Sequence, residues 1–193
     1  MESCYSKFSS SANKDAIRTA IWSVVPGAKS TIEKSFLSMF AGLESLVLDF
    51  RRRDKLERVL PKPEWKKLKD YLKKCINQCE VPKLDEQKCA LIHDKLEELN
   101  KISLRYAFEQ FCSKYKIDLS DLWPIFNSVD GSLSNIRNKL IHGDPLPPAL
   151  QDILWAAHSS LRFSMERILI SILGWPVDKS EVNKDFLRKY STA

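Results

Sequence analysis

From Ile32 to Phe50 the apolar residues fall at Ile32, Phe36, Met39, Phe40, Leu43, Val47 and Phe50. Steps of three and four put them on one face of an α-helix and leave the other face polar. Ser30 or Thr31 stands where an N-cap belongs, with Glu33 within capping-box reach. Arg51, Arg52 and Arg53 close the pattern, cations at the end where the helix dipole favours them. Pro61 and Pro63 separate this helix from a lysine-rich one over 64–79, with Trp65, Leu68, Leu72 and Ile76 on one side. After a turn at 80–83, a long helix over 85–114 carries Leu91, Ile92, Leu96, Leu99, Ile102 and Tyr106. Residues 116–121 connect it to a segment with Ser120 or Asp121 as N-cap. There the period resumes at Leu122, Phe126, Val129, Leu133, Ile136 and Leu140, and it stops at His142-Gly143. Pro145, Pro147 and Pro148 introduce a last helix over 147–173, striped by Leu150, Leu154, Ala157, Leu161, Met165, Ile168 and Ile172. No alternating, strand-like segment competes, so the pattern predicts an all-α bundle of four or five main helices.

The expected domain spans 29–175. Ahead of it, residues 1–14 read as disordered, and 15–28 ("AIRTAIWSVVPG" at their heart) as a short helix or strand stopped by Pro26-Gly27. Together they form an N-terminal extension over 1–28, and 176–193 form a polar C-terminal tail. The chain has 193 residues, only 5 glycines, and 5 cysteines without framework spacing. That composition favours helices over turn-rich sheets and a reducing, cytoplasmic setting over secretion. No apolar run reaches the roughly 18–20 residues of a membrane span, and the polar first residues do not resemble a signal peptide.

Charge changes the picture through its placement. Between Arg51 and Lys74 stand eleven Lys/Arg and four Asp/Glu, a net of +7 in a chain whose total is +6, so the remainder sums to −1. A basic cluster is the footprint of a polyanionic partner, most commonly nucleic acid. Arg51, Arg52, Arg53, Lys66, Lys67 and Lys73 are the candidate contacts.

The stretch with candidate chemistry is "SNIRNKLIHGDP", residues 134–145. It sets Arg137, Asn138 and His142, one of three histidines, on the last turns of an apolar-patterned helix. Residues five apart on a helix differ by about 140° in direction, so Arg137 and His142 share a face only if the helix unwinds at its end. Gly143, able to adopt the left-handed conformation, and Asp144-Pro145 supply that break. A guanidinium binds a phosphate bidentately and offsets charge developing on its oxygens. Imidazole moves a proton near neutral pH. Both suit metal-free attack of a ribose 2′-OH on its own phosphate, especially if two copies meet across a dimer axis.

An all-α bundle with a late "IRNKLIHG" resembles the HEPN superfamily, whose ribonuclease members carry an R-x4–6-H motif with a polar residue after the arginine. "FLSMFAGLESLVLDFRRR" and "RNKLIHGD" are similar to the HEPN domain of ApeA-like antiphage proteins. The resemblance covers roughly 30–173 and implies an up-and-down helical bundle that homodimerises through its motif-bearing helices. It further implies metal-independent cleavage of RNA, tRNA or other cellular RNA, in antiviral defence or as a toxin, without a cofactor. On this resemblance Arg137 binds phosphate, His142 transfers protons, and Asn138 positions one or the other. Toxins paired with a nucleotidyltransferase antitoxin often carry a tyrosine after the histidine; Gly143-Asp144-Pro145 stands there instead and argues against that pairing. ApeA-like proteins also carry a substantial N-terminal region that this sequence lacks, so it reads either as a stand-alone version or as a fragment regulated by such a domain or by a partner protein. The competing readings are a non-catalytic HEPN module that binds a partner or nucleotide, and a helical scaffold outside that family.

Glu44 lies in line with Leu37, Ala41 and Leu48, at the edge of the first apolar stripe. A semi-buried carboxylate needs a partner, and Arg137 is one candidate, with Glu44 supporting it; the plainer reading is a boundary residue reaching water. Cys75, Cys79, Cys89 and His93 have residue types that suit zinc. Their positions across the turn near Val81-Pro82 converge poorly, so buried thiols are expected there, and no metal is. His158 reads as a packed or solvent-facing residue, and Trp123-Pro124 near a helix start as packing.

Overall fold

A computed structural model describes residues 2–25, 30–126, 132–143, 148–185 and 187, with the side chains of 2–3 and 148–152 outside that description. Among these residues are eight α-helices, one 3-10 turn and no strand. The chain is an all-α bundle. Its helices are α1 (Glu2–Ser10), α2 (Lys14–Val24), α3 (Ile32–Arg53), α4 (Lys62–Asn77), α5 (Glu86–Leu99), α6 (Leu104–Tyr115), α7 (Leu133–His142) and α8 (Pro148–Ile172).

The centre is α3. Its N-cap is Thr31, whose side chain accepts from the Lys34 amide. Phe36, Met39, Phe40, Leu43, Leu46, Val47 and Phe50 are all buried. Against them pack Ala107, Phe108 and Phe111 of α6, Leu133 and Ile136 of α7, and Leu154, Ala157, Leu161, Met165 and Ile168 of α8. Leu150 of the expected α8 stripe lies outside the described side chains, as Val129 does outside the described backbone. Edge-on aromatic pairs run through this core, including Phe40–Phe126, Phe108–Phe126 and Phe50–Phe111 at 6.0, 5.3 and 5.4 Å between ring centroids.

Four expectations need correction. Residues 2–10, expected to be disordered, form α1; the short helix allowed for after them is α2, and its Ile17 and Ala20 belong to the core and not to an extension. Gly42 permits this, because a Cβ there would stand 2.8 Å from Ser23 Cβ and 3.3 Å from the Ala20 Cα. Pro26-Gly27 lie outside the described residues. Second, the single helix expected over 85–114 is two. Asn100 is buried, and its side chain donates to Leu60 O and accepts from Leu60 N, while Ser103 caps α6. A buried amide satisfied by a neighbouring backbone outweighs continuing the helix. Third, the helix expected from Ser120 or Asp121 begins only after Ser132, whose hydroxyl accepts from Asn135 N. Asp121 is engaged elsewhere, and Trp123 donates its amide to Ser160 Oγ at 3.0 Å instead of opening a helix. Fourth, the expected tail is packed at least through Val182. The buried Arg167 pairs with both Asp121 oxygens (2.6 and 3.0 Å) and donates to Val182 O and Asp118 O. Val182 is buried as a result.

Helices α4 and α5 stand apart. They pack principally on each other, and of their apolar positions only Trp65 and Leu96 are buried. Among the described residues no helix is long and apolar enough to cross a membrane.

Candidate functional site

Helix α7 is short and firmly seated. Its first amides find partners outside the helix: Leu133 N donates to Pro124 O and Ser134 N to Ile125 O, at 3.0 and 2.9 Å. Leu133 and Ile136 point into the core, and Leu140 packs against it. That rotation leaves Arg137 half-buried on the flank and Asn138, Ile141 and His142 exposed. Gly143 ends the helix with φ 71° and ψ 17°, its N–H donating to Lys139 O. Lys139 in the last turn complements the helix dipole.

The guanidinium of Arg137 is held on three sides. Nη2 lies 3.0 Å from Glu44 Oε1 and 3.1 Å from Oε2. Nη1 donates to Asn138 Oδ1 at 3.0 Å, which orients that amide because a guanidinium only donates. Beneath, Cζ stands 5.8 Å from the centroid of the Phe40 ring, a cation–π distance. Phe40 is itself fixed by Phe36 and Phe126. Phe40 and Glu44 are four residues apart on α3, so one helix face presents both the aromatic floor and the carboxylate. Arg137 keeps 27% of its side-chain surface exposed and Glu44 23%, so the arginine is oriented yet reachable.

The structure therefore brings together Arg137, Asn138 and Glu44. No hydrogen bond or ion pair joins His142 to them: the ring, five residues on and about 7.5 Å further along the axis, has no such partner among the described residues. Asp144 and Pro145 lie outside them. Phe40 was not legible as a site residue, although its four-residue spacing from Glu44 was the available signal.

Glu44 also borders an open groove of about 450 Å³ between α2 and α3, which ends at Arg52. Asp15 and Asp49 line it too. The basic candidates divide. Arg51 donates from Nη1 to Ile102 O at 3.2 Å and has its Nε buried, so it ties α3 to the segment before α6. Arg53 pairs with Asp49 at 2.8 Å. Arg52, Lys66 and Lys67 are exposed and Lys73 half-buried, and none has an ion-pair partner among the described residues. The three lysines are on α4.

Among the described residues no group of three or more His, Cys, Asp and Glu is arranged to hold a metal. The expectation of buried thiols at 75, 79 and 89 is corrected: Cys75 is exposed, and Cys79 and Cys89 are half-buried. Burial instead acts on Cys112, whose thiol is pushed up to about 12 and kept protonated. Compared with known proteins, the chain matches no family model, no curated protein and no solved structure.

Proposed function

We propose that the protein is a metal-independent endoribonuclease of the HEPN type, acting in the cytoplasm as a homodimer in antiphage defence or as a toxin. The observation that carries this reading is the grip on Arg137: a half-exposed guanidinium fixed by Glu44, Asn138 and Phe40, on the ten-residue helix that ends in an exposed His142. The free edge of Arg137 holds the scissile phosphate and offsets charge on its oxygens. Histidine takes the 2′-OH proton as that oxygen attacks phosphorus; the P–O5′ bond breaks, leaving a 2′,3′-cyclic phosphate and a 5′-hydroxyl. Within one chain no hydrogen bond joins Arg137 to His142 among the described residues, and a single histidine cannot serve as acid and base at once, so two α7 helices meeting across a dimer axis would supply both. Arg52, Lys66, Lys67 and Lys73 draw in RNA, whereas Arg51 and Arg53 act mainly within the fold.

A second reading, a non-catalytic module that dimerises and binds a partner or nucleotide, is favoured by that same absence of a hydrogen bond between Arg137 and His142. The two readings part on cleavage of total RNA in EDTA, with product ends mapped. His142→Ala and Arg137→Ala each lower the rate by about 100-fold or more in a nuclease. Absence of cleavage by the dimeric wild-type protein, or equal cleavage by all three, favours the binding module.

A further inference from the structure

The chemistry of Ser35 and His158 is separate from the α7 site. Serine hydroxyls inside these helices commonly turn back on their own backbone: Ser10 donates to Ser6 O, Ser164 to Ser160 O and Ser171 to Arg167 O, at 2.7–2.8 Å. Ser35, in the first turn of α3, instead meets His158 Nε2 of α8 at 2.9 Å, across 123 residues of sequence. The pair opens on a cavity of about 680 Å³ between α3, α8 and the segment that Arg167 clamps to the bundle. Ile32, Phe163 and Val182 give it apolar walls, and Trp155 and Arg162 line it as well.

We propose that Ser35 and His158 form an acyl-accepting dyad, with the cavity taking esters of small apolar carboxylic acids. Ser35 Oγ attacks the acyl carbon while its proton passes to His158 Nε2. The Oγ–acyl bond forms, the bond to the alcohol breaks, and the proton departs on the alcohol oxygen. Water then attacks the acyl carbon, gives a proton to His158, and the acid leaves as Ser35 recovers its hydrogen. The ring is suited to accept: burial first, then the positive charge of Arg162, lowers its pKa, which favours the neutral form. Arg162 uses Nε for Glu166, leaving its remaining N–H groups for the developing oxyanion. Among the described residues no carboxylate holds the other ring nitrogen; Trp155 meets the ring edge-on at 6.2 Å instead. With an activated ester, whose leaving group departs readily, acylation outpaces deacylation, and a trapped acyl group is the signature to seek.

The test is peptide mapping by mass spectrometry after exposure to p-nitrophenyl butyrate, with p-nitrophenolate release followed in parallel. Wild-type protein and the control Ser171→Ala are expected to carry a butyryl group on Ser35 after a stoichiometric burst. Ser35→Ala removes that label. His158→Asn, which keeps a hydrogen-bonding side chain but cannot take the proton, slows labelling by about 100-fold, with helicity by circular dichroism unchanged. No label on wild-type Ser35, or labelling at the wild-type rate in His158→Asn, overturns the proposal; the latter would mean that His158 only packs.

Discussion

Helices α3 and α4 follow one another in sequence and both carry an amphipathic pattern, yet their fates differ. Every apolar ring and most of the aliphatic side chains on the α3 stripe are buried, because α2, α6, α7 and α8 close around it. On α4 only Trp65 is buried, and its partner α5 buries only Leu96; Leu68, Leu91, Ile92 and Leu99 remain exposed. The hairpin is held by polar ties instead. Trp65 Nε1 and Lys69 both donate to Glu97, and Asn100 pairs with the Leu60 backbone. Periodicity states which face is apolar; it does not state whether anything covers that face. The difference places Glu44 and Arg137 on the packed bundle and three of the four unpaired basic candidates, Lys66, Lys67 and Lys73, on an arm that buries little apolar surface.

The sharpest way to break this comparison is to remove equivalent leucines. Leu161→Ala, in the bundle, is expected to cost about 2–5 kcal/mol, whereas Leu68→Ala on the arm stays within about 0.5 kcal/mol. Denaturant midpoints of the two variants measure both. Equal losses would mean that the arm is as well packed as the core.

Next comes the clamp. Arg167 is only 2% exposed, and Asp121→Asn leaves its charge without a counterion, at a cost of about 3 kcal/mol. The same pair predicts acid sensitivity. The hydrogen bond to Arg167 chiefly holds the Asp121 carboxyl below its usual range. The stability it contributes is therefore present above the unfolded-chain value of about 3.9 and lost as pH falls through the lower folded value. Urea titrations at pH 6 and pH 3 should differ less for Asp121→Asn than for the wild-type protein.

Asn100→Ala is expected to cost about 1–3 kcal/mol, leaving the Leu60 amide and carbonyl unpaired. Amide hydrogen exchange should then accelerate through α4 and α5 before it does so in α3. Exchange that rises uniformly would show that hairpin and bundle open as one unit.

The smallest effect on stability belongs to the site. Glu44→Gln breaks a partly exposed ion pair worth up to about 1 kcal/mol. Because it frees the arginine that the ribonuclease reading requires to be oriented, metal-free RNA cleavage should fall by about 10–100-fold. Unchanged cleavage would assign Glu44 to packing alone.

Much of the bundle was legible because burial of a continuous stripe is a local property of a helix. The limits of α3 and the stripe of α8 follow from three-four spacing, capping residues and prolines. Arg137 and Asn138 stand next to each other in the sequence, and the structure joins them; His142 shares their helix but no hydrogen bond or ion pair with them among the described residues. Glu44 was marked by standing at the edge of an apolar stripe. What spacing could not show was pairing between elements. Asn100 divides a helix because Leu60 is there to satisfy it. Asp121 leaves a helix start because Arg167 needs it, and Ser35 meets His158 only because α3 lies beside α8. A sequence determines which side chains want burial or a partner; only the packed chain decides which partner is within hydrogen-bond reach, because those interactions act over about 3 Å and join residues far apart along the chain.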